Sequence, residues 1–324
     1  MLLQAEALAR RGHRVAVVSP GPPPDWFSLA RARFERSSFR ESLELAAADV
    51  RVATFWTTVA PALEGAIGPV FHLCQGYEGG FSFYAGQRAA IEAAYRAPTR
   101  KLAVSGTLAA VLDTLGFGPA EITGQAFDGR DFFPGEPDGD RGEPPVVIVV
   151  GIYEADVKGI GVALEGLRLW RERGAAFRLR RVSTFAVTDA ERALGLTDEY
   201  HRALPPDRMP WAYRASDLFV GPARREEGFG LPALEALSCG LPCLLSDTPA
   251  HREIAGEAAW YFAEGDPEAL ARMLPEVSSR QARARARVEG PRAAARFDTA
   301  SVAERLEHAF EKALTSIRKQ ENRA

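Results

Sequence analysis

Residues 218–240, LFVGPARREEGFGLPALEALSCG, constrain the chain more than any other stretch. An apolar run closing at Gly221-Pro222 reads as a buried strand. A polar loop follows, then Gly228, Phe229 and Gly230, and then Pro232 in the first turn of an apolar helical pattern. Proline suits that position because its missing N–H would have no helical partner anyway. A strand that enters a glycine turn and leaves as a helix is the repeating unit of a parallel α/β sheet. The glycines let a ligand approach the backbone closely, and the helix start offers free N–H groups and partial positive charge. Glu227 and Glu235 flank the same turn. Carboxylates do not hold phosphate; they accept from hydroxyls in charge-assisted hydrogen bonds. A ligand with both phosphates and hydroxyls satisfies the whole arrangement, and a sugar nucleotide is one. A core helix with a glycine-rich entry and one solvated acid would show the same spacing.

The remainder alternates strand and helix patterns. In the first half, strands are predicted at residues 14–19, 50–55, 70–74 and 101–104, with helices at 2–11, 84–95 and 107–115. Residues 133–145 hold Pro, Gly and acidic side chains with little to bury, and read as a linker. A second series follows: strands at 146–150, 177–184, 218–221 and 242–246, and helices at 162–173 and 232–238. The tail from residue 278 is Arg/Ala-rich and helical, with a break expected at Gly290-Pro291. The chain therefore reads as α/β, with residues 1–140 as a first domain, 141–290 as a second, and 291–324 as a closing helix.

Composition narrows the function classes. A net charge of −3 over 324 residues gives no global case for nucleic acid. Cys74, Cys239 and Cys243 form no CxxC pair, which argues for a reducing compartment rather than a disulfide framework. Neither a signal-peptide pattern nor a bilayer-length apolar run is present, so a cytoplasmic site is expected. The basic residues are nearly all Arg, which singles out Lys158 in a loop after the strand at 146–150.

EEGFGLPALEALSCGLPCLLSD resembles the signature of the family 4 glycosyltransferases, whose two glutamates are separated by seven residues, as Glu227 and Glu235 are. GIYEADVKGIGVALEGLRLW resembles the opening of that family's nucleotide domain. EITGQAFDGRDFFPG resembles the end of its first domain, and AAARFDTASVAERLEHAFEKAL its closing helix, which crosses back to the first domain. The resemblance implies the GT-B fold, two Rossmann-like domains facing a central cleft. It implies a retaining, metal-independent hexosyl transfer from a nucleotide diphosphate sugar to a glycan or lipid-linked acceptor, as in surface polysaccharide synthesis. No cofactor is implied. Glu227 would lie beside the donor sugar, Glu235 would hold the ribose hydroxyls, and Lys158 would pair with the diphosphate. Backbone around Gly228, Phe229, Gly230 and Leu231 would meet sugar and phosphate.

The chain departs from the family pattern at three places. Ile152 stands where the family carries an arginine, so Arg224, Arg225 or Arg181 would have to replace it. The chain starts inside the first helix, so the first domain is expected to lack its first strand and glycine loop. After the strand at 70–74 the family often has a histidine, and Gln75 stands there. Gln75 is expected to meet the donor sugar, with Tyr77 or Glu78 nearer the acceptor. His72, inside the strand, reads as a core residue.

Asp138-Gly139-Asp140 matches a metal-binding DxD only by letter and reads as a solvated turn, so no metal site is expected. Ser105 ends a strand without a visible base. The run RQARARAR at 280–287 reads as a solvated helix face, with contact to anionic lipid at the inner membrane face as the alternative. Three rival classes stand beside the transferase: another GT-B enzyme, a non-catalytic relative binding sugar nucleotide or a protein, and a dinucleotide oxidoreductase. No GxGxxG follows a strand in either half, and a phosphorylase would need a cofactor lysine in a lysine-poor second domain.

Overall fold

A computed structural model describes residues 1–135 and 144–321, side chains included up to residue 319. Asp138-Gly139-Asp140 and most of the expected linker lie outside the described residues. The chain divides into two compact units, residues 1–128 with 297–324, and residues 129–296.

The first unit begins with α1 (Leu2–Arg10), β1 (Ala16–Ser19), β2 (Arg33–Arg36) and α2 (Leu43–Ala46). It continues with β3 (Arg51–Ala53), α3 (Trp56–Leu63), β4 (Val70–Cys74), α4 (Arg88–Arg96), β5 (Arg100–Ala103), α5 (Gly106–Thr114) and β6 (Ala120–Ile122). Its strands form a two-stranded sheet, β1-β2, and a four-stranded sheet, β3-β4-β5-β6, all parallel. Gly12 follows α1 at φ +101°, the left-handed stop that its sequence position indicated. The expected helix at 84–95 splits into a 3₁₀ segment, Ser82–Gln87, and α4.

The second unit runs β7 (Val146–Val150), α6 (Ile160–Glu172), β8 (Arg178–Ser183), α7 (Asp189–Ala193), β9 (Thr197–Arg202), α8 (Met209–Arg214), β10 (Leu218–Gly221), α9 (Leu231–Ser238), β11 (Cys243–Ser246), α10 (Pro249–Ala255), β12 (Trp260–Phe262), α11 (Pro267–Val277) and α12 (Arg280–Ala294). The strands make one parallel sheet in the order β12-β11-β10-β7-β8-β9. Neighbours that are not consecutive in sequence require helical crossovers, the doubly wound arrangement that the alternation implied. Its core is Val147 and Val149 of β7, Leu179 of β8 and Leu218 and Val220 of β10 against Ile160, Leu164 and Leu167 of α6 and Leu270 and Leu274 of α11.

The last helix, α13 (Thr299–Glu321), belongs to the first unit, where Arg305 donates to the Thr123 carbonyl at 2.7 Å and Thr299 to the Phe127 carbonyl at 2.7 Å. One expectation fails: α12 runs unbroken through Gly290-Pro291. A Cβ on Gly290 would come 2.5 Å from the Leu237 carbonyl oxygen, so the bare glycine lets α12 lie directly on α9. Tertiary packing there outweighs the local cost of proline in a helix.

Candidate functional site

The described geometry converges at the carboxyl ends of β7 and β10, where ligands bind in open α/β sheets. After β7 the chain turns at Gly151 (φ +145°) and passes through a short 3₁₀ segment, Asp156–Lys158, to Gly159 at φ +61°. Any side chain at Gly159 would strike the Pro222 carbonyl, its Cβ falling 2.1 Å from that oxygen. The glycine therefore lets the Lys158 loop press against the loop after β10, and the Arg224 amide donates to the Val157 carbonyl at 2.9 Å. This contact delivers Lys158 Nζ to Glu227 Oε2 at 2.6 Å, with the two side chains 30% and 15% exposed. A half-buried ion pair at the rim of a sheet keeps both charges reachable while partly desolvating them.

Beyond Glu227 the chain makes its turn. Gly230 sits at φ +99° and precedes α9 as its N-cap without any side-chain cap. Among the described residues, neither the Gly230 nor the Leu231 amide meets a protein acceptor. Two amide donors thus stand at a helix start three residues after Glu227, the partner of Lys158, and free amides at a helix start suit anionic oxygens. Pro232 occupies the first turn, as the sequence indicated. One turn on, Glu235 Oε2 accepts from Tyr213 Oη at 2.8 Å. Burial lifts the Glu235 carboxyl to about 7, against the lowering effect of that hydrogen bond.

Of Arg181, Arg224 and Arg225, the three arginines expected near the position of Ile152, two are committed to carboxylates. Arg181 is wholly buried, pairs with Glu191 at 2.9 Å, and donates to the Val149 and Gly151 carbonyls at 2.8 and 3.0 Å. Its guanidinium fixes the end of β7 and is closed off from solvent, so the expectation for Arg181 is corrected. Arg225 is held in a fork by Glu264 at 3.0 and 3.1 Å. Arg224 is exposed, and among the described residues its guanidinium makes no ion pair or side-chain hydrogen bond.

In the first unit, Gln75 follows β4, exposed, and donates to the Thr54 carbonyl at 3.0 Å. Tyr77 and Glu78 turn inward instead of presenting themselves to a ligand. Tyr77 is 8% exposed and packs on Tyr95 and Phe117, while Glu78 Oε2 accepts from Tyr95 Oη at 2.7 Å. The cause is the aromatic cluster beneath the loop, a larger apolar reward than solvation of one tyrosine. His72 is buried against Tyr95, and burial lowers it to about 4. Ser105 caps α5, accepting from the Leu108 amide at 3.0 Å. Cys239 and Cys243 are buried, and burial raises both thiols, Cys239 to about 12. In α12, Arg283, Arg285 and Arg287 are committed to Asp217, Glu289 and the Gly135 carbonyl, which leaves little free charge for a lipid surface.

Sequence reasoning missed β9, Tyr213 and His251. A signal for His251 exists in SDTPAH: Thr248 as an N-cap and Pro249 at the first position start a helix that carries the histidine on its first turn.

Residues 144–279 match the family model described as glycosyl transferases group 1. This domain belongs to that family. The match confirms, for the second unit, the family 4 resemblance carried by the signature. O-antigen chain mannosyltransferase B of Escherichia coli is 39% identical over 67 residues, 21% of this chain and 17% of that protein. The phosphatidyl-myo-inositol mannosyltransferase of Mycobacterium leprae is 28% identical over 184 residues, 52% of this chain and 47% of that protein. The chain thus matches less than half the length of either relative. Among solved structures, sucrose-phosphate synthase from Thermosynechococcus elongatus superposes with a TM-score of 0.77 at 18% identity, covering 97% of this chain and 92% of that one. Anabaena HepE in complex with UDP and glucose gives 0.74 at 16% identity, covering 96% and 95%. The group 1 domain thus sits within a GT-B fold. Among the described residues, no helix is long and apolar enough to cross a membrane.

Proposed function

We propose that the protein is a retaining glycosyltransferase that moves a hexose from a nucleotide diphosphate sugar to a hydroxyl of a glycan or lipid-linked acceptor, working at the cytoplasmic side. The observation that carries this reading is the Lys158–Glu227 pair together with the Gly230 and Leu231 amides, which lack a protein acceptor among the described residues. Lys158 has three N–H donors, and Glu227 takes one, so two remain for diphosphate oxygens. As the sugar–oxygen bond breaks, negative charge grows on the leaving diphosphate. Lys158, the two amides and Arg224 would stabilise it by electrostatic preorganisation, with no divalent metal required for that charge. Glu227 would accept from sugar hydroxyls, and the Glu235 oxygen not taken by Tyr213 from the ribose. Gln75 offers an exposed amide at the carboxyl end of β4 for the sugar.

Incubation with a panel of nucleotide sugars and acceptors, with release of nucleoside diphosphate as the readout, tests the reading. Turnover strongly reduced by Glu227→Gln and by Lys158→Ala is the expected result. Binding of nucleotide without any turnover would favour a non-catalytic relative, which Ile152 and the inward-turned Tyr77 and Glu78 make the specific alternative.

A further inference from the structure

His251 lies on the first turn of α10 and is 2% exposed. Its Nδ1 faces two oxygens, the Ser246 carbonyl at 2.9 Å and Ser246 Oγ at 3.1 Å. A carbonyl can only accept, so Nδ1 carries the ring proton. The Ser246 hydroxyl donates in turn to the Ala223 carbonyl, which locks the ring from behind. Burial holds the imidazole pKa below its ordinary range, so the ring is neutral and Nε2 is a bare acceptor.

That acceptor has a definite outlook. A Cβ built on Gly230 would lie 3.5 Å from His251 Cδ2 and 3.6 Å from Nε2, so this edge of the ring faces the glycine turn. Among the described residues nothing hydrogen-bonds Nε2. Lys158 and Glu227 are close enough to act on the ring electrostatically. Glycine at position 230 leaves Nε2 uncovered where any other residue would place a carbon over it. Nε2 has no protein donor among the described residues, so a ligand donor would supply its missing hydrogen bond. Phosphate oxygens cannot donate to it at neutral pH; a sugar hydroxyl can.

We propose that His251 reads the donor sugar, its Nε2 accepting a hydrogen bond from a hydroxyl of the sugar seated on the Gly228–Leu231 turn. The proposal rests on the nucleotide-sugar reading of this site. Glu227 and the amides then bind whatever sugar nucleotide arrives, while His251 discriminates among sugars by the hydroxyl it demands.

Calorimetric titration of wild type, His251→Ala and His251→Gln with a nucleoside diphosphate and with its nucleotide sugar tests this. His251→Ala is expected to bind the nucleoside diphosphate within about twofold of wild type but the nucleotide sugar about tenfold more weakly, the size of one hydrogen bond. Gln, whose amide oxygen also accepts, should recover part of the loss. A deoxy donor lacking the contacted hydroxyl should bind wild type and His251→Ala equally. Equal weakening of both ligands in His251→Ala would show that the ring only props up the turn, and no change in either would remove it from recognition; each overturns the proposal. Failure of the wild-type protein to bind any nucleotide sugar would overturn the underlying reading, and this one with it.

Discussion

Lys158 Nζ lies 2.6 Å from Glu227 Oε2 across 69 residues of sequence, and Gly159 is what permits it. The pair couples the group expected on the diphosphate to the one expected on the sugar. Lys158→Ala should therefore lower kcat by about 10²–10³, the usual cost of removing one preorganised charge-stabilising donor. Lys158→Arg should recover little, because a planar fork does not substitute for a compact ammonium in a tight loop. Nucleoside diphosphate release under saturating donor checks both.

Gly230→Ala tests the turn itself. The left-handed φ of +99° would cost a β-carbon residue about 1–2 kcal/mol, while the methyl would meet His251 and Ile254 at ordinary contact distances. Thermal melting should show a modest drop, and nucleotide-sugar affinity should fall further than stability does, because the displaced backbone carries the amides.

Glu235 gives the site a pH signature. Its folded-state pKa of about 7 lies above the ordinary carboxyl value near 4.5, chiefly through burial. Between those values the folded state binds the extra proton, so the contribution of Glu235 to stability is greatest below pH 4.5 and is lost as pH rises through 7. Glu235→Gln should flatten that slope and leave the protein more stable at pH 8, by on the order of 2 kcal/mol. Nucleotide affinity should move the opposite way in wild type, strengthening as the carboxylate ionises to accept from ribose hydroxyls. Denaturant unfolding and calorimetry from pH 5 to 8 measure the two trends.

Arg181 and Glu191 form a buried pair, 0% and 1% exposed in their side chains. Arg181→Met alone strands the carboxylate, at a cost of about 3–5 kcal/mol. The double variant Arg181→Met/Glu191→Met should recover most of that loss. If the single variant were as stable as wild type, the pair would not be organising the end of β7; denaturant midpoints decide.

The doubly wound second unit was legible because its strands are apolar runs punctuated by glycine, as at VVIVVG and LFVG. β9, TDEYHR, escaped because it lies at the sheet edge and is polar along its length. The Lys158 and Glu227 roles came from resemblance, but their contact depends on the Gly159–Pro222 approach, which spacing cannot express. Tyr77 and Glu78 looked like loop residues because the loop is polar. Only the cluster of Tyr95 and Phe117, distant in sequence, reveals that it folds inward. The RLRRVS strand held a hint that went unread: an arginine pair in a buried run requires internal acceptors, which disqualifies Arg181 as a surface cation.

Arg224 is the remaining candidate for the charge that Ile152 does not supply. Its amide is tied to the Val157 carbonyl, next to Lys158, while its guanidinium is uncommitted among the described residues. Arg225, one residue on, is neutralised by Glu264. Arg224→Ala should weaken nucleoside diphosphate binding by about tenfold and make it less sensitive to salt, since one fewer cation meets the diphosphate. Arg225→Ala should change neither. Ile152→Arg placed in the Arg224→Ala background should restore both affinity and salt dependence, because it returns one guanidinium to the loop that carries Lys158. Titrations with nucleoside diphosphate at 50 and 300 mM salt (about 14 and 6 Å screening lengths) resolve the difference. Equal losses in Arg224→Ala and Arg225→Ala would mean that general positive charge near the loop, rather than Arg224 itself, replaces the missing arginine.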